Sequence, residues 1–328
     1  MRVKSNEPKI VVVGGGTGLS VLLKGLKEYT SQLTAVVTVT DDGGSSGRLR
    51  NEMGVLPPGD IRNCLVALAD TETLMDKVFQ HRFRQEGSLK GHNLGNLLLV
   101  ALTEIVGDFI SAIKEVSKVL AVRGKVIPVT LQPVNLGAVM ADETVICGQT
   151  AIRNYDAKID RVFLICEGRC LPVPDAIEAI MQADAVVIGP GSLYTSIIPN
   201  LLVEGVAEAI EASPAQVIYV CNIMTEKGET DDYSAEDHIA AINQHLNNRQ
   251  IIDYAVVNSG NIDEDRLIRY KEEQAVPVRF NRDKIQAMGI ELLECNLVSD
   301  HTVAWHDPRQ LARVILKTIG IDIDEFFQ

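Results

Sequence analysis

A chain of 328 residues with 46% hydrophobic and 23% charged residues has ordinary globular usage, which excludes a disordered chain and allows one large domain or two smaller ones. The formal charge of −13 argues against a nucleic-acid partner, whose phosphates need clustered Lys and Arg, yet leaves room for a local anion-binding patch. No signal peptide opens the sequence and no stretch nears the ~20 apolar residues of a membrane span, so a cytoplasmic protein with reduced cysteines is expected.

The elements follow in chain order. Residues 10–13 form a β-branched run without alternation, as in a buried parallel strand. It leads into Gly14-Gly15-Gly16-Thr17-Gly18, after which Leu19, Leu22, Leu23 and Leu26 share one helix face. A second strand, 35–40, ends in Asp41-Asp42-Gly43-Gly44-Ser45-Ser46-Gly47. Residues 57–63 read as a turn with Asp60 as a helix N-cap. Residues 91–96 put His92, Asn93 and Asn96 at another helix start, and Phe109, Ile110, Ile113, Val116 and Leu120 form a further helix face.

Residues 125–165 hold short strand-like runs (126–130, 139–141, 144–147 and 162–165) with little helix between them. This β-rich insertion is either an antiparallel extension of the main sheet or a small subdomain. Ile177, Ile180 and Met181 mark a short helix. Three more buried strands come next. Ala185–Ile188 runs into Gly189-Pro190-Gly191-Ser192, residues 217–221 into Asn222, Thr225 and Lys227, and residues 254–257 into Asn258-Ser259-Gly260-Asn261. Asp307 before Pro308 reads as an N-cap, with Arg309 in the first helical turn. The prediction is a single domain, 1–328, with a three-layer α/β fold and a mainly parallel sheet.

Five strands with small polar residues at the same end point to a ligand cleft there, since open parallel sheets bind ligands beyond the carboxyl ends of their strands. Gly15, Gly16, Thr17 and Gly18 at a helix start suit a phosphate, or serve only a tight strand-to-helix turn. The dinucleotide fingerprint fails because Leu19 stands at its third glycine, which weakens the case for NAD but keeps it as an alternative occupant of the cleft, and the P-loop pattern fails as well. Asp41 and Asp42 suit a base or sugar, or with Asp60 a Mg²⁺ ion, or the capping of a glycine-rich turn. The helix opened by Ser192 suits a second phosphate, and Lys227 and Arg309 are phosphate partners or solvated surface residues. His301 and His306 lie near the lone Trp305 without helical metal-ligand spacing. The apolar positions Leu311, Val314, Ile315 and Ile319 suit packing on the sheet and equally suit a homo-oligomer contact.

Taken together, Gly14–Leu19, Thr40–Gly47 with Arg48, and the 57–63, 91–96 and 189–200 segments resemble the YvcK/GlmR family of gluconeogenesis factors, relatives of the CofD-like phospholactate transferases. The resemblance implies a Rossmann-like CofD fold. It also implies a nucleotide-binding regulatory protein of the UDP-N-acetylglucosamine type, needed for cell shape and envelope precursors on gluconeogenic carbon and acting on a protein partner in amino-sugar synthesis. Carried onto this chain, it places the loop around Thr17, Asp41 and Asp42, with Asn93, Asn96 and Ser192, around the ligand; the reading of the residues themselves adds Gly15, Gly16, Gly18, Gly43, Gly189, Gly191, Asn222, Lys227 and Arg309. A Mg²⁺-dependent phosphotransferase is the enzymatic alternative and a nicotinamide-dependent oxidoreductase a third. No nucleophile–base pair is evident in the sequence, which tips the expectation toward regulation.

Overall fold

The computed structural model describes residues 7–70, 73–299 and 305–321. Alternate residues of the central strands feed two different cores, which explains why these strands are apolar without a break. In β1 (Ile10–Gly14), Val11 and Val13 join one buried cluster with Tyr194, Ile197 and Ile239, while Ile10 and Val12 join another with Leu19, Leu65 and Ile315. The remaining strands are β2 (Leu33–Val37), β3 (Lys125–Pro128), β4 (Asn135–Met140), β5 (Val145–Cys147), β6 (Ile159–Ile165), β7 (Ala185–Ile188), β8 (Gln216–Val220), β9 (Tyr254–Asn258) and β10 (Glu291–Cys295).

Seven of these form one parallel sheet in the order β10-β9-β8-β7-β1-β2-β3. The chain builds β2 and β3 to one side of β1, then returns to place β7 on the other side and continues outward to β10. The gap between β1 and β7 is therefore a topological switch point, where neighbouring strand-to-helix connections leave toward opposite faces and open a crevice. Val13 pairs with both Val36 and Ile188, so the loops after β1, β2 and β7 emerge at the same level.

Helix Gly16–Leu26 buries Leu19, Leu22, Leu23 and Leu26 completely, each worth about 1.5–3 kcal/mol relative to exposure. Helix Pro308–Thr318 lies against it so closely that a Cβ on Gly25 would stand 1.9 Å from the Pro308 carbonyl oxygen. Leu311 and Ile315 are fully buried in that contact, so the C-terminal apolar face serves the core. Asp307 caps this helix through the Gln310 N–H at 2.7 Å, with Pro308 at its first position, as the sequence predicts.

Three expectations are corrected. The β-rich insertion is narrower than 125–165: Lys125–Pro128 is the edge strand of the main sheet, and only β5-β4-β6 form a separate antiparallel sheet. The strand after residue 35 leaves the ladder at Val37, and Thr38 and Thr40 instead share a hydroxyl–hydroxyl hydrogen bond of 3.0 Å. The cysteines, expected from the sequence to be reduced thiols of the core, are all free, but Cys147 is exposed rather than in the core. Strand β10 was not legible. Its Glu291 and Glu294 break the apolar run because the faces of this outermost strand are only partly covered, Glu291 being exposed and Glu294 half-buried. Among the described residues no single helix is long and apolar enough to cross a membrane.

Candidate functional site

The loops after β1 and β7 meet across the switch point. Gly15 precedes the helix start, Gly16 takes φ +70°, and a Cβ on Gly18 would lie 2.8 Å from the Pro190 carbonyl oxygen. Glycine is needed at position 18 because backbone touches backbone there. The facing loop contains a cis Gly189–Pro190 bond and is clamped from β8's end. Gly191 N–H donates to Asn222 Oδ1 at 3.1 Å, and Asn222 Nδ2 donates to the Gly191 carbonyl at 2.9 Å. Asn222 Nδ2 also reaches Glu226 Oε1 at 2.9 Å, and the Ser192 hydroxyl donates to Glu226 Oε2 at 2.6 Å.

Between the two loops lies a cavity of about 410 Å³. Its base is Gly15–Gly18 with Gly191 and Ser192, at the positive end of helix Gly16–Leu26. Lys227 and, from the insertion, Arg153 also line the cavity, as do the aromatic rings of Tyr270, Trp305 and His306. Burial pushes the His306 imidazole down to about 4, so the ring is neutral, and its Nε2–H donates to the Cys221 carbonyl at 3.1 Å. Trp305 is 46% exposed, leaving ring surface for a ligand to cover.

Of the residues marked by the sequence, Gly15, Gly16, Thr17, Gly18, Gly191, Ser192, Asn222 and Lys227 line this cavity. Gly189 stands just behind it with φ +80°. Arg309 is exposed and is not among the lining residues. His301 lies outside the described residues. Arg153, Glu226 and Tyr270 were missed. Arg153 sits in the insertion and Tyr270 on a polar helix, and neither stretch carries a local motif.

Asp41, Asp42, Gly43, Asp60, Asn93 and Asn96 lie apart from the cavity lining, on the β2 side of the glycine loop. The Asp41 carboxylate accepts from the Gly43 N–H at 2.9 Å, which is turn capping. Asp42 caps the helix Gln149–Arg153 of the insertion, accepting from the Thr150 N–H at 3.0 Å and its hydroxyl at 2.7 Å. Asp60 is not an N-cap. Pro58 holds that position, and Asp60 sits in the first turn, accepting from the Gly16 N–H. Burial, and then the Asp41 charge, push its carboxyl up to about 7. Among the described residues no three His, Cys, Asp or Glu side chains converge on a metal position, and Asp42 Oδ1 is taken by Thr150, which leaves Asp41 and Asp60 as the neighbouring pair of the sequence-marked Mg²⁺ set Asp41, Asp42 and Asp60.

Asn93 is the N-cap of helix Leu94–Val106, accepting from the Asn96 N–H at 3.1 Å, and both asparagines are buried. Asn93→Ala is expected to lower stability by about 1 kcal/mol in urea unfolding; an unchanged midpoint would deny the cap. The second phosphate position after Ser192 is also corrected. The segment Leu193–Ile197 is a single π-helical turn, and two of its donors are taken, the Tyr194 N–H by Glu229 at 3.2 Å and the Thr195 hydroxyl by the same carboxylate at 2.8 Å.

With this geometry in view, comparison with known proteins settles the family. The family model of 2-phospho-L-lactate transferase CofD matches residues 10–298. The chain belongs to the CofD family. Within it, the chain is 49% identical over 311 residues to the gluconeogenesis factor of Bacillus subtilis, covering 94% of this chain and 98% of that protein. It is 47% identical to the gluconeogenesis factor of Halalkalibacterium halodurans, covering 94% and 95%. A crystal structure of protein BH3568 from Bacillus halodurans superposes with a TM-score of 0.91 at 46% identity, over 95% of this chain and all of that one. The CofD-like α/β fold and the resemblance to the gluconeogenesis factors of this family both stand.

Proposed function

We propose that this CofD-family chain is a gluconeogenesis factor whose switch-point cavity binds a nucleotide sugar of the UDP-N-acetylglucosamine type. Through a protein partner, it links the level of that ligand to amino-sugar and envelope-precursor synthesis, and so to cell shape on gluconeogenic carbon. One observation carries the binding: the same cavity joins a glycine-rich helix start and two cations, Lys227 and Arg153, to the aromatic side chains of Trp305 and Tyr270. A diphosphate is served by the first set, and a base by the second. Its volume of about 410 Å³ falls among those of small-molecule sites.

Because Trp305 is the sole tryptophan of the chain, its fluorescence reports on the cavity without a label. Titration with UDP-N-acetylglucosamine is expected to give a saturable fluorescence change, stronger than with NAD or GDP, and the sugar nucleotide is recovered intact after incubation. Lys227→Ala is expected to weaken binding roughly tenfold, ~1.4 kcal/mol. A flat titration contradicts the reading, and turnover of the ligand contradicts its regulatory form.

A second reading, a Mg²⁺-dependent phosphotransferase, draws on the proximity of Asp41 to Asp60, whose carboxyl it helps to raise. Two neighbouring carboxylates gain from a shared cation. That reading expects ligand binding to require Mg²⁺ and to be lost in Asp41→Asn with the fold intact; Mg²⁺-independent binding contradicts it.

A further inference from the structure

The insertion reaches the cavity at one point, its short helix Gln149–Arg153, and that helix is held firmly. Besides the Asp42 contacts to Thr150, Gln149 Nε2 donates to the Thr195 carbonyl at 2.7 Å, and Gly228 passes so close that a Cβ there would stand 2.2 Å from the Arg153 carbonyl oxygen. The Arg153 side chain has two neighbours of opposite kind. On one side its Nε lies 3.3 Å from Glu229 Oε1; on the other it lines the cavity. The Glu229 side chain is completely buried, whereas that of Arg153 is 48% exposed.

Glu229 takes hydrogen bonds from the Tyr194 N–H and the Thr195 hydroxyl, and the charges that bear on it are Arg153 from the insertion and Glu226 from its own segment. Burial, and then Glu226, push its carboxyl up to about 7, with Arg153 acting in the opposite direction. A buried carboxylate deprived of its cation either carries a heavy desolvation cost or takes up a proton.

Resting on the nucleotide-sugar reading, we infer that Arg153 is the ligand-sensing cation of this site: a phosphate in the cavity draws its guanidinium from Glu229, and Glu229 takes up a proton as the ligand binds. The more alkaline the solution, the more of Glu229 is ionised before binding, so the proton uptake that accompanies binding is larger at pH 8 than at pH 6. Affinity therefore falls as pH rises above 7.

Calorimetric titration of the full chain with UDP-N-acetylglucosamine in HEPES and in Tris tests this directly. The two buffers differ in ionisation enthalpy, and the diphosphate diester does not titrate between pH 6 and pH 8. At pH 8 the apparent heats are expected to differ between the two buffers, and by more than at pH 6. Glu229→Gln removes the difference at pH 8, and Arg153→Ala removes it and weakens binding about tenfold. Binding with equal heats in both buffers at pH 8 in the unsubstituted protein overturns the inference, whether or not the variants fold. An absence of binding in both the calorimeter and the Trp305 titration overturns the nucleotide-sugar reading itself, and this inference with it.

Discussion

Asp60→Asn is expected to stabilise the protein at pH 8 relative to pH 5, widening the gap from the unsubstituted chain by on the order of 1 kcal/mol. The folded carboxyl is pushed up to about 7 from its usual value of 3.8. Below pH 4 both folded and unfolded chains hold the proton. Between pH 4 and pH 7 the unfolded chain releases it while the folded chain keeps it, so stability falls as pH rises. Above pH 7 the full cost is present. A shift of about three units corresponds to roughly 4 kcal/mol, which partial contact of Asp60 with solvent reduces to about half. Asparagine still offers an oxygen to the Gly16 N–H and carries no charge to desolvate. Urea midpoints of both proteins at pH 5, 6.5 and 8 measure the effect, and a gap constant with pH denies that Asp60 is the group responsible.

The second large effect belongs to Gly18→Ala. In a helix this exchange alone stabilises by about 0.5–1 kcal/mol, because glycine loses more backbone entropy on folding. Here the new methyl group would stand 2.8 Å from the oxygen and 3.0 Å from the carbon of the Pro190 carbonyl, and 3.2 Å from Gly191 N. All three are backbone atoms, and the loop that carries them is tied by Asn222 and Glu226, so it yields only by breaking that clamp. The expected outcome is a net loss of about 1–3 kcal/mol in stability and a fall of roughly 100-fold in nucleotide-sugar affinity, ~2.7 kcal/mol. Thermal unfolding together with the Trp305 titration checks both. A variant that is more stable and binds normally would mean that the loops do not need their close approach.

The parallel strands and the glycine loops were legible because each depends on local chemistry. β1 and β7 are buried on both faces and read as continuous apolar runs, and the turns after them need glycine where backbones meet. Asn222 could be marked because it follows a strand end directly. Arg153 and Glu229 could not: one arrives from the insertion and the other is a carboxylate that folding buries, and only the tertiary structure brings them to 3.3 Å. The aspartates at the end of β2 misled for a related reason. Asp41 and Asp42 have the residue type of metal ligands, but each gives its Oδ1 to a structural contact, with Gly43 and Thr150 respectively, that is invisible in a linear chain. Ser192 looked like the start of a phosphate-binding helix, and the donors behind it had already been claimed by Glu229.

The most direct test is a crystal structure of the full chain with UDP-N-acetylglucosamine. The predicted result places the diphosphate against Thr17, Gly18 and Lys227, with the uracil ring beside Trp305. Density for the ligand beyond β2, on Asp41 and Ser45 with the Gly16–Gly18 loop untouched, would contradict the assignment of this cavity.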